Sequence, residues 1–492
     1  MKITELLPKE ICLYDYGNDK TDFTGVASHT ARIKKGDLFV AIKGKSCAPL
    51  SLYKEIEERG ALAVVTEWEE PMPALSIPCY YVKNARLAQS YIYYNYYRAS
   101  LENIRFVAVT GTNGKTTTAL MLAHLLSGKE KTGYIGTLGV YLDNTPLKEA
   151  THTTMTTPSA ELLYASLALL ASKGAKTVVL EVSSHAIAQE RVAPLSFQAA
   201  LFTNLSEEHL DFHKTMEEYF SVKARLVRAA AFSVINVDDA YGEKLAPLCQ
   251  NPITVGVLQD ASVCATDLYE KGRDGTQYTY QTEKLSFPVS LSLIGSFQVY
   301  NSLLAIAAAL KLGVSVDSVK DRVSSFPSPK GRMEMLPLDK FKAPFSVIVD
   351  YAHTPDAFAV AIRAARKLTS GRLFVLFGAG GDREKEKRAQ MGKIAEELSD
   401  FVYITRDNSR TENLAAIMKD IISGMSPTAR RRVIANREKA IRTALSELQE
   451  GDTLLLLGKG HERYEWDSAG LHAFSEEDIV YDYLEKHTDT AV

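Results

Sequence analysis

The chain has 492 residues, enough at roughly 150 per domain for about three domains and too long for one small module. Lys plus Arg number 57 and Asp plus Glu 60, a formal net charge of −3, with 46% hydrophobic and 24% charged residues. This ordinary globular balance lacks the electrostatic footprint of a nucleic-acid binder, and the short run Arg430, Arg431, Arg432 does not supply one. The five cysteines (Cys12, Cys47, Cys79, Cys249, Cys264) form no C-x-x-C pair, so neither a disulfide framework nor a zinc ribbon is indicated and a reducing cytoplasm is expected. Charges are mixed through the first ten residues and no apolar stretch approaches the eighteen or so needed to cross a bilayer, so a soluble cytoplasmic chain without membrane insertion is expected.

In chain order, the first hundred residues read as a mixed α/β module with strands at 38–42 and 61–65 and a helix at 53–59. The tyrosines at 91, 93, 94, 96 and 97 lie in a helix-like stretch that reads as packing at a domain junction. From Phe106 short β-branched runs (106–109, 178–182, 199–202, 234–236) alternate with helices, the signature of a mainly parallel sheet. The Ser- and Pro-rich segment 324–329 reads as a linker, after which alternation resumes at 347–350, 373–377, 401–404 and 453–457. The expected fold is therefore α/β with a first domain over 1–100, a central parallel-sheet domain over 101–329 and a nucleotide-fold-like domain over 330–492.

After the strand at 106–109 comes Thr110-Gly111-Thr112-Asn113-Gly114-Lys115-Thr116-Thr117-Thr118, leading into a helix. Strand, glycine-rich turn and helix make a phosphate cradle: backbone N–H groups face the anion, Lys115 can neutralise terminal phosphates, and the Thr116 hydroxyl can ligate Mg²⁺. The strict motif would have glycine where Val109 stands. Glu181 ends a buried-looking strand, where a carboxylate either reaches a metal beside the loop or is a satisfied strand-end group. His209, in Glu-Glu-His-Leu-Asp-Phe-His, is a metal ligand or a structural histidine, and Lys223 by default a solvated helix lysine. In the last third, turns beginning at Asp350, Gly378, Asp407 and Gly458 each follow a strand, and four polar turns on one sheet edge suggest a ligand site.

Together TGTNGKTT (110–117), TTP (156–158), EVSSHAIAQERV (181–192), FTNLSEEHLDFHKTMEEY (202–219), PKGRMEM (329–335), DYAHTPD (350–356), FGAGGDR (377–383), DNSR (407–410) and GKGHE (458–462) resemble the Mur ligase family, specifically its UDP-N-acetylmuramoyl-tripeptide synthetases. The resemblance spans almost the whole chain. It implies an N-terminal domain for the UDP end of the substrate, a central P-loop ATPase domain and a C-terminal Rossmann-like domain for the incoming amino acid. It also implies a peptidoglycan-building ligase, serving cell-wall biogenesis, shape and division, that uses ATP and Mg²⁺ to phosphorylate the glutamyl carboxylate of UDP-N-acetylmuramoyl-L-alanyl-D-glutamate. An amine then displaces phosphate.

By the same resemblance Gly111, Thr112, Asn113, Gly114, Lys115, Thr116, Thr117, Asn301 and Arg332 would contact ATP. One Mg²⁺ would sit at Thr116 and a second near Glu181, His209 and a carbamylated Lys223, with Lys115 completing the catalytic set. Thr30, Thr156, Thr157, Ser184, Gln189 and Arg191 would hold the UDP-muramoyl dipeptide, and Arg383, Asp407, Asn408, Arg410, Gly458 and Glu462 the third amino acid. Two positions depart from the family pattern: His29-Thr30-Ala31 stands where relatives carry Asp-Ser-Arg, and Ser409 where proline is usual. The arginine of DNSR points to meso-diaminopimelate, with a lysine-adding relative as the alternative; a monomer is expected. A folate-type sister ligase and a non-catalytic nucleotide-binding scaffold are the competing readings.

Overall fold

The computed structural model describes residues 1–17, 19–43, 49–67, 75–151 and 155–488, so Cys47 lies outside the described residues. Three sheets organise it. Four parallel strands, Gly25–Ala27, Asp37–Val40, Ala63–Thr66 and Cys79–Tyr81, form the first. The sequence-expected strand at 38–42 is shorter, although Ala41 still donates its N–H to Val65, and the expected helix at 53–59 is the longer Pro49–Glu58. The tyrosine stretch falls in the helix Ala85–Tyr96, with Tyr97 just past its end, and faces the central body: Tyr94 meets Tyr164 edge to face at 6.0 Å and Tyr93 is buried in the central core.

The central sheet has eleven strands. Its middle is parallel, in the order Val263–Glu270, Pro252–Gly256, Phe232–Asn236, Phe197–Phe202, Arg105–Thr110, Thr177–Glu181, Thr132–Gly136, with antiparallel strands extending both edges. Buried β-branched and aromatic residues dominate these strands because helices cover both faces. The chain leaves Arg105–Thr110 toward one side of the sheet and later returns to its other side at Phe197–Phe202, so this strand stands at the topological switch point. The helix Lys115–Leu126 that follows packs on the sheet beside the apolar helix Phe297–Lys311.

The segment expected to be a linker is partly anchored: Ser324 ends the helix Val316–Ser324, and Phe326 is buried in the central core beside His124. Beyond it, Glu334–Met335 pairs antiparallel at the edge of a sheet whose other strands, Ser346–Asp350, Thr453–Leu457, Leu373–Phe377, Phe401–Ile404 and Arg431–Val433, run parallel in that order. Four of these strands end in the polar turns noted above, so parallel direction alone brings those turns to one edge. Two of the following helices start where local chemistry dictates. Thr354 caps Pro355–Leu368 by accepting from Ala357 N, with proline supplying helical φ at the first position, and Asn413 caps Leu414–Ser423.

Arg437 staples that edge. Fully buried at the start of the helix Arg437–Glu447, it donates to Glu476 at 2.8 Å, to Leu457 O at 2.8 Å and to Arg406 O at 3.0 Å, binding the ends of two site-bearing strands. Removing only one member of a buried ion pair strands the other charge, so Arg437→Met is expected to destabilise by about 3–5 kcal/mol. The double variant Arg437→Met/Glu476→Met should recover much of this. Urea unfolding checks both, and an unshifted midpoint for the single variant would contradict the stapling role.

Candidate active site

The turn 111–114 is shaped by two glycines at positive φ, +146° at Gly111 and +83° at Gly114. A Cβ at Gly111 would lie 1.9 Å from Thr203 Oγ1 and one at Gly114 2.4 Å from Asn301 Oδ1, so neighbouring chain packs where a side chain would be. The turn is pinned from beside it: Thr112 N donates to Asn204 O and Asn113 N to Asn204 Oδ1, both at 2.9 Å, while Thr203 Oγ1 donates to Asn113 O at 2.6 Å. Asn301, on the helix Phe297–Lys311, accepts from Thr118 Oγ1 at 3.1 Å and so stands against the loop. The N-terminus of Lys115–Leu126 then opens toward the cavity, a positive dipole end suited to phosphate.

Two lysine amines, half-buried Lys115 and buried Lys223, converge on one carbonyl. Lys115 Nζ donates to Gly111 O at 3.0 Å and to Thr112 O at 2.7 Å, and Lys223 Nζ donates to Gly111 O at 2.8 Å. Burial lowers the pKa of both amines, and the neighbouring Lys115 charge pushes Lys223 further down, well below the ordinary lysine value. The default expectation of a solvated lysine is therefore corrected: Lys223 is 1% exposed, because its helix Met216–Ala229 packs that face beneath the loop.

Glu181, at the C-terminal end of Thr177–Glu181, accepts from Tyr134 OH, from Thr137 N at 3.0 Å, from Thr137 Oγ1 at 3.1 Å and from Thr116 Oγ1 at 3.0 Å. Burial and the Glu181 charge raise the Tyr134 phenol, so it remains a donor. Thr156 and Thr157 adjoin this group: Thr137 Oγ1 donates to Thr156 at 3.2 Å and Thr157 Oγ1 to Glu181 O at 2.8 Å. Arg191 donates to Thr157 O at 2.6 Å and to Gln189 Oε1 at 2.7 Å. His209, in a left-handed conformation with φ +60°, has its pKa lowered to about 3, chiefly by burial. Its ring meets that of His185 edge on at 4.6 Å.

The C-terminal sheet edge forms the facing wall. Arg332 donates from Nη2 to Thr116 Oγ1 at 3.0 Å and its guanidinium lies 4.6 Å from the Tyr351 ring centre. His353 Nε2 is 3.2 Å from Glu208 Oε1, and Glu384 accepts from Leu210 N at 2.9 Å. Burial would raise the Glu208 carboxyl, but the His353 hydrogen bond and the charges of His209 and Lys115 hold it well below the usual range. Further along the wall, buried Lys459 donates to Asn408 Oδ1 at 3.2 Å and lies 3.5 Å from Glu462 and 3.9 Å from Asp407. Asn408 in turn donates to Glu462 at 2.8 Å. Arg410 donates to Gly381 O, and burial first, then the nearby Arg383 cation, lowers its pKa.

One cavity of about 700 Å³ joins these walls. It is lined by Thr112 through Thr117, Thr156, Thr157, Glu181, Arg191, His209, Asn301 and Arg332, and on the far side by Arg383, Asp407, Asn408, Arg410, Gly458 and Glu462. Buried Gly111, Ser184 and Lys223 stand behind this surface, half-buried Gln189 lies off it, and Thr30 lies apart in the short turn Thr30–Arg32 of the first domain. Sequence reasoning missed Glu208, His353, Tyr351 and Lys387, all on the cavity wall, and the buried Lys459. Glu208 was hidden beside an identical Glu207, and no local pattern distinguishes the inward member of such a pair. His353 and Lys459 lay inside motifs already singled out.

The donor set fits a magnesium–nucleotide. Among the described residues no three His, Cys, Asp or Glu side chains converge as a metal cage. Mg²⁺ commonly takes one or two protein oxygens and fills its octahedron with phosphate and water, and Thr116 Oγ1 beside Glu181 offers that pair. Arg332 Nε and Ser206 Oγ are buried without a hydrogen-bond partner among the described residues, leaving donor capacity for an anion.

Residues 109–309 match the Mur ligase middle domain and residues 331–460 the Mur ligase glutamate ligase domain. The chain is 39% identical over 464 residues to a UDP-N-acetylmuramoyl-L-alanyl-D-glutamate--2,6-diaminopimelate ligase of Aquifex aeolicus, covering 94% of this chain and 93% of that one. A protein of the same name from Caldanaerobacter subterraneus is 37% identical, with 95% and 96% covered. A solved structure of a ligase of that name superposes with a TM-score of 0.65 at 29% identity, over 94% of this chain and 95% of that one. With a phosphate loop and a cation-lined wall facing each other across one cavity, and with relatives this similar along nearly its whole length, the chain belongs to the Mur ligase family of ATP-dependent ligases.

Proposed function

We propose that this ligase joins meso-diaminopimelate to the glutamyl carboxylate of UDP-N-acetylmuramoyl-L-alanyl-D-glutamate in peptidoglycan synthesis, through an acyl phosphate. The observation that carries the reading is the single cavity that holds the loop 112–117 on one wall and Arg383 with Arg410 on the other. It leaves room for a phosphorylated carboxylate between a phosphate cradle and a carboxylate-binding pair of cations. The assignment of the amino acid is supported by the names of the relatives.

The γ-phosphoryl group of ATP passes to a glutamyl oxygen, releasing ADP; the amine of the incoming amino acid then attacks the carbonyl carbon, the C–N bond forms and the C–O bond to phosphate breaks. Lys115 and Arg332 neutralise charge that accumulates on the transferred group. When bound, Mg²⁺ offsets the charge crowded onto ATP and the acceptor carboxylate. Thr116 and Glu181 would hold it, with a second ion near His209 and a carbamylated Lys223. The carbamate reading is supported by the buried, depressed Lys223 amine, since only the neutral amine adds carbon dioxide. Gly111, Thr112, Asn113, Gly114, Thr117 and Asn301 would frame ATP. Thr30, Thr156, Thr157, Ser184, Gln189 and Arg191 would hold the UDP-muramoyl dipeptide. We divide the chain accordingly at 100 and 329. A cytoplasmic setting is supported by the four described cysteines, all free.

Three outcomes test this. Lys115→Ala should keep its melting temperature within a few degrees while ligation falls at least about a hundredfold, the scale of losing one charge-stabilising donor in a dry site. Steady-state phosphate release that stays near wild type would refute the loop's role. For Lys223, intact-mass measurement of active enzyme should show one added carbon dioxide, and Lys223→Ala should be inactive yet partly rescued by short carboxylic acids. An unmodified amine in active protein rejects the carbamate. Finally, wild type should prefer meso-diaminopimelate over lysine, because lysine lacks the distal carboxylate that would pair Arg410. An unpaired buried partner costs about 2–5 kcal/mol, or roughly thirty-fold to several thousand-fold in kcat/KM. Arg410→Ala should erase most of that preference in competition assays, and a wild-type preference for lysine would overturn the amino-acid assignment.

A further inference from the structure

The hairpin Tyr464–Asp467 and Gly470–Ala473 forms a sheet of its own, yet it is strapped to the turn 407–410 through one residue. Trp466 N donates to Asn408 Oδ1 at 2.9 Å, and Trp466 O accepts from Arg410 N at 3.0 Å. Main-chain bonds of Trp466 therefore grip both flanks of Ser409. Its indole lies 5.5 Å from the Arg410 guanidinium, within the range of a cation–π contact, although the residue is 45% exposed and its cross-strand partner Leu471 is 63% exposed. A large aromatic left this open is not there to fill a core.

Arg410 needs such a plate. It occupies a left-handed conformation, φ +52°, so its side chain leaves the turn in a direction that few residues adopt. A Cβ built on Gly380 would lie 3.5 Å from Arg410 Nη1 and 3.7 Å from Arg383 Cγ, so the two arginines flank the same glycine. Gly381 O accepts from one guanidinium nitrogen, and both arginine heads line the cavity, close enough that their like charges repel. The indole face closes the side toward solvent.

We propose that Trp466 is a positioning residue that sets selectivity for the third amino acid by holding the Arg410 head where a distal carboxylate meets it. This rests on the proposed meso-diaminopimelate assignment. Substituting the ring leaves both main-chain bonds in place, so the plate can be removed without cutting the strap.

The test compares wild type, Trp466→Ala, Trp466→Phe, Arg410→Ala and the double variant Arg410→Ala/Trp466→Ala in steady-state ligation with meso-diaminopimelate and with lysine. Losing a contact of this kind should raise KM for meso-diaminopimelate in Trp466→Ala by roughly three- to thirtyfold, with kcat changed less than about threefold and KM for ATP unmoved. Preference over lysine should fall by the same factor, Trp466→Phe should restore at least half of it, and adding Trp466→Ala to Arg410→Ala should change little. A Trp466→Ala enzyme whose KM and preference match wild type overturns the proposal, as does a rise in all three substrate KM values together with a lowered melting temperature, which marks a merely structural ring. A wild type that prefers lysine instead overturns the amino-acid assignment itself and with it this role.

Discussion

The close approach of Thr203, Asn204 and Asn301 to the turn 111–114 is the constraint on which the rest of the site depends. Two glycines let the main chain curl with no Cβ between it and these neighbours, and three side chains or carbonyls then pin the curl. The turn is therefore a rigid object at the switch point of the central sheet, held by elements far apart in sequence. Its cost is electrostatic: the helix N-terminus and Lys115 gather positive potential in a small volume, which adds to burial in depressing the adjacent Lys223 amine, and the carbonyls of Gly111 and Thr112 together with Glu181 and Glu208 balance it. An arrangement so loaded with donors is preorganised for a multiply charged anion.

The C-terminal wall meets this turn through polar contacts. Arg332 reaches Thr116, His353 reaches Glu208, and Glu384 reaches the backbone of Leu210. Each joins a residue of the C-terminal body to one beside the loop, and parting them exchanges these bonds for water with modest net change, while Ile294 and Phe297 add apolar contact to the C-terminal core. Polar bonds of this kind suit a site where substrates must enter and products leave, whereas the Ala85–Tyr96 helix meets the central body through apolar packing.

Behind that wall the turns are welded rather than merely adjacent. Arg388, fully buried, donates to both oxygens of Glu412, to Asp420 and to Gly380 O, while Glu412 accepts from Asp382 N. With Lys459 inside the turn 407–410 and Arg437 at the strand ends, three buried cations hold the loops that present Arg383 and Arg410. Ser409, where the family usually has proline, sits in a turn fixed by Asn408 O to Gly381 N and by Ser409 O to Glu412 N, so hydrogen bonds hold what a locked φ would otherwise hold.

Local chemistry was written plainly in the sequence. Alternating β-branched runs and helices declared parallel sheets, glycines and Lys115 declared the cradle, and parallel strand direction alone required the turns after Asp350, Phe377, Ile404 and Leu457 to share an edge. These features depend on neighbours along the chain, which a sequence shows directly. What only tertiary structure decided were the contacts across it. Lys223 looks like any helix lysine until its helix packs beneath the loop, where burial depresses its amine. Glu208 and Glu207 are indistinguishable until His353 arrives from 145 residues away to choose one. Trp466 reads as an ordinary hairpin aromatic until its carbonyl takes the N–H of Arg410. Burial and charge pairing are properties of the assembled fold, and no local pattern encodes which of two like residues will meet a partner from another sheet.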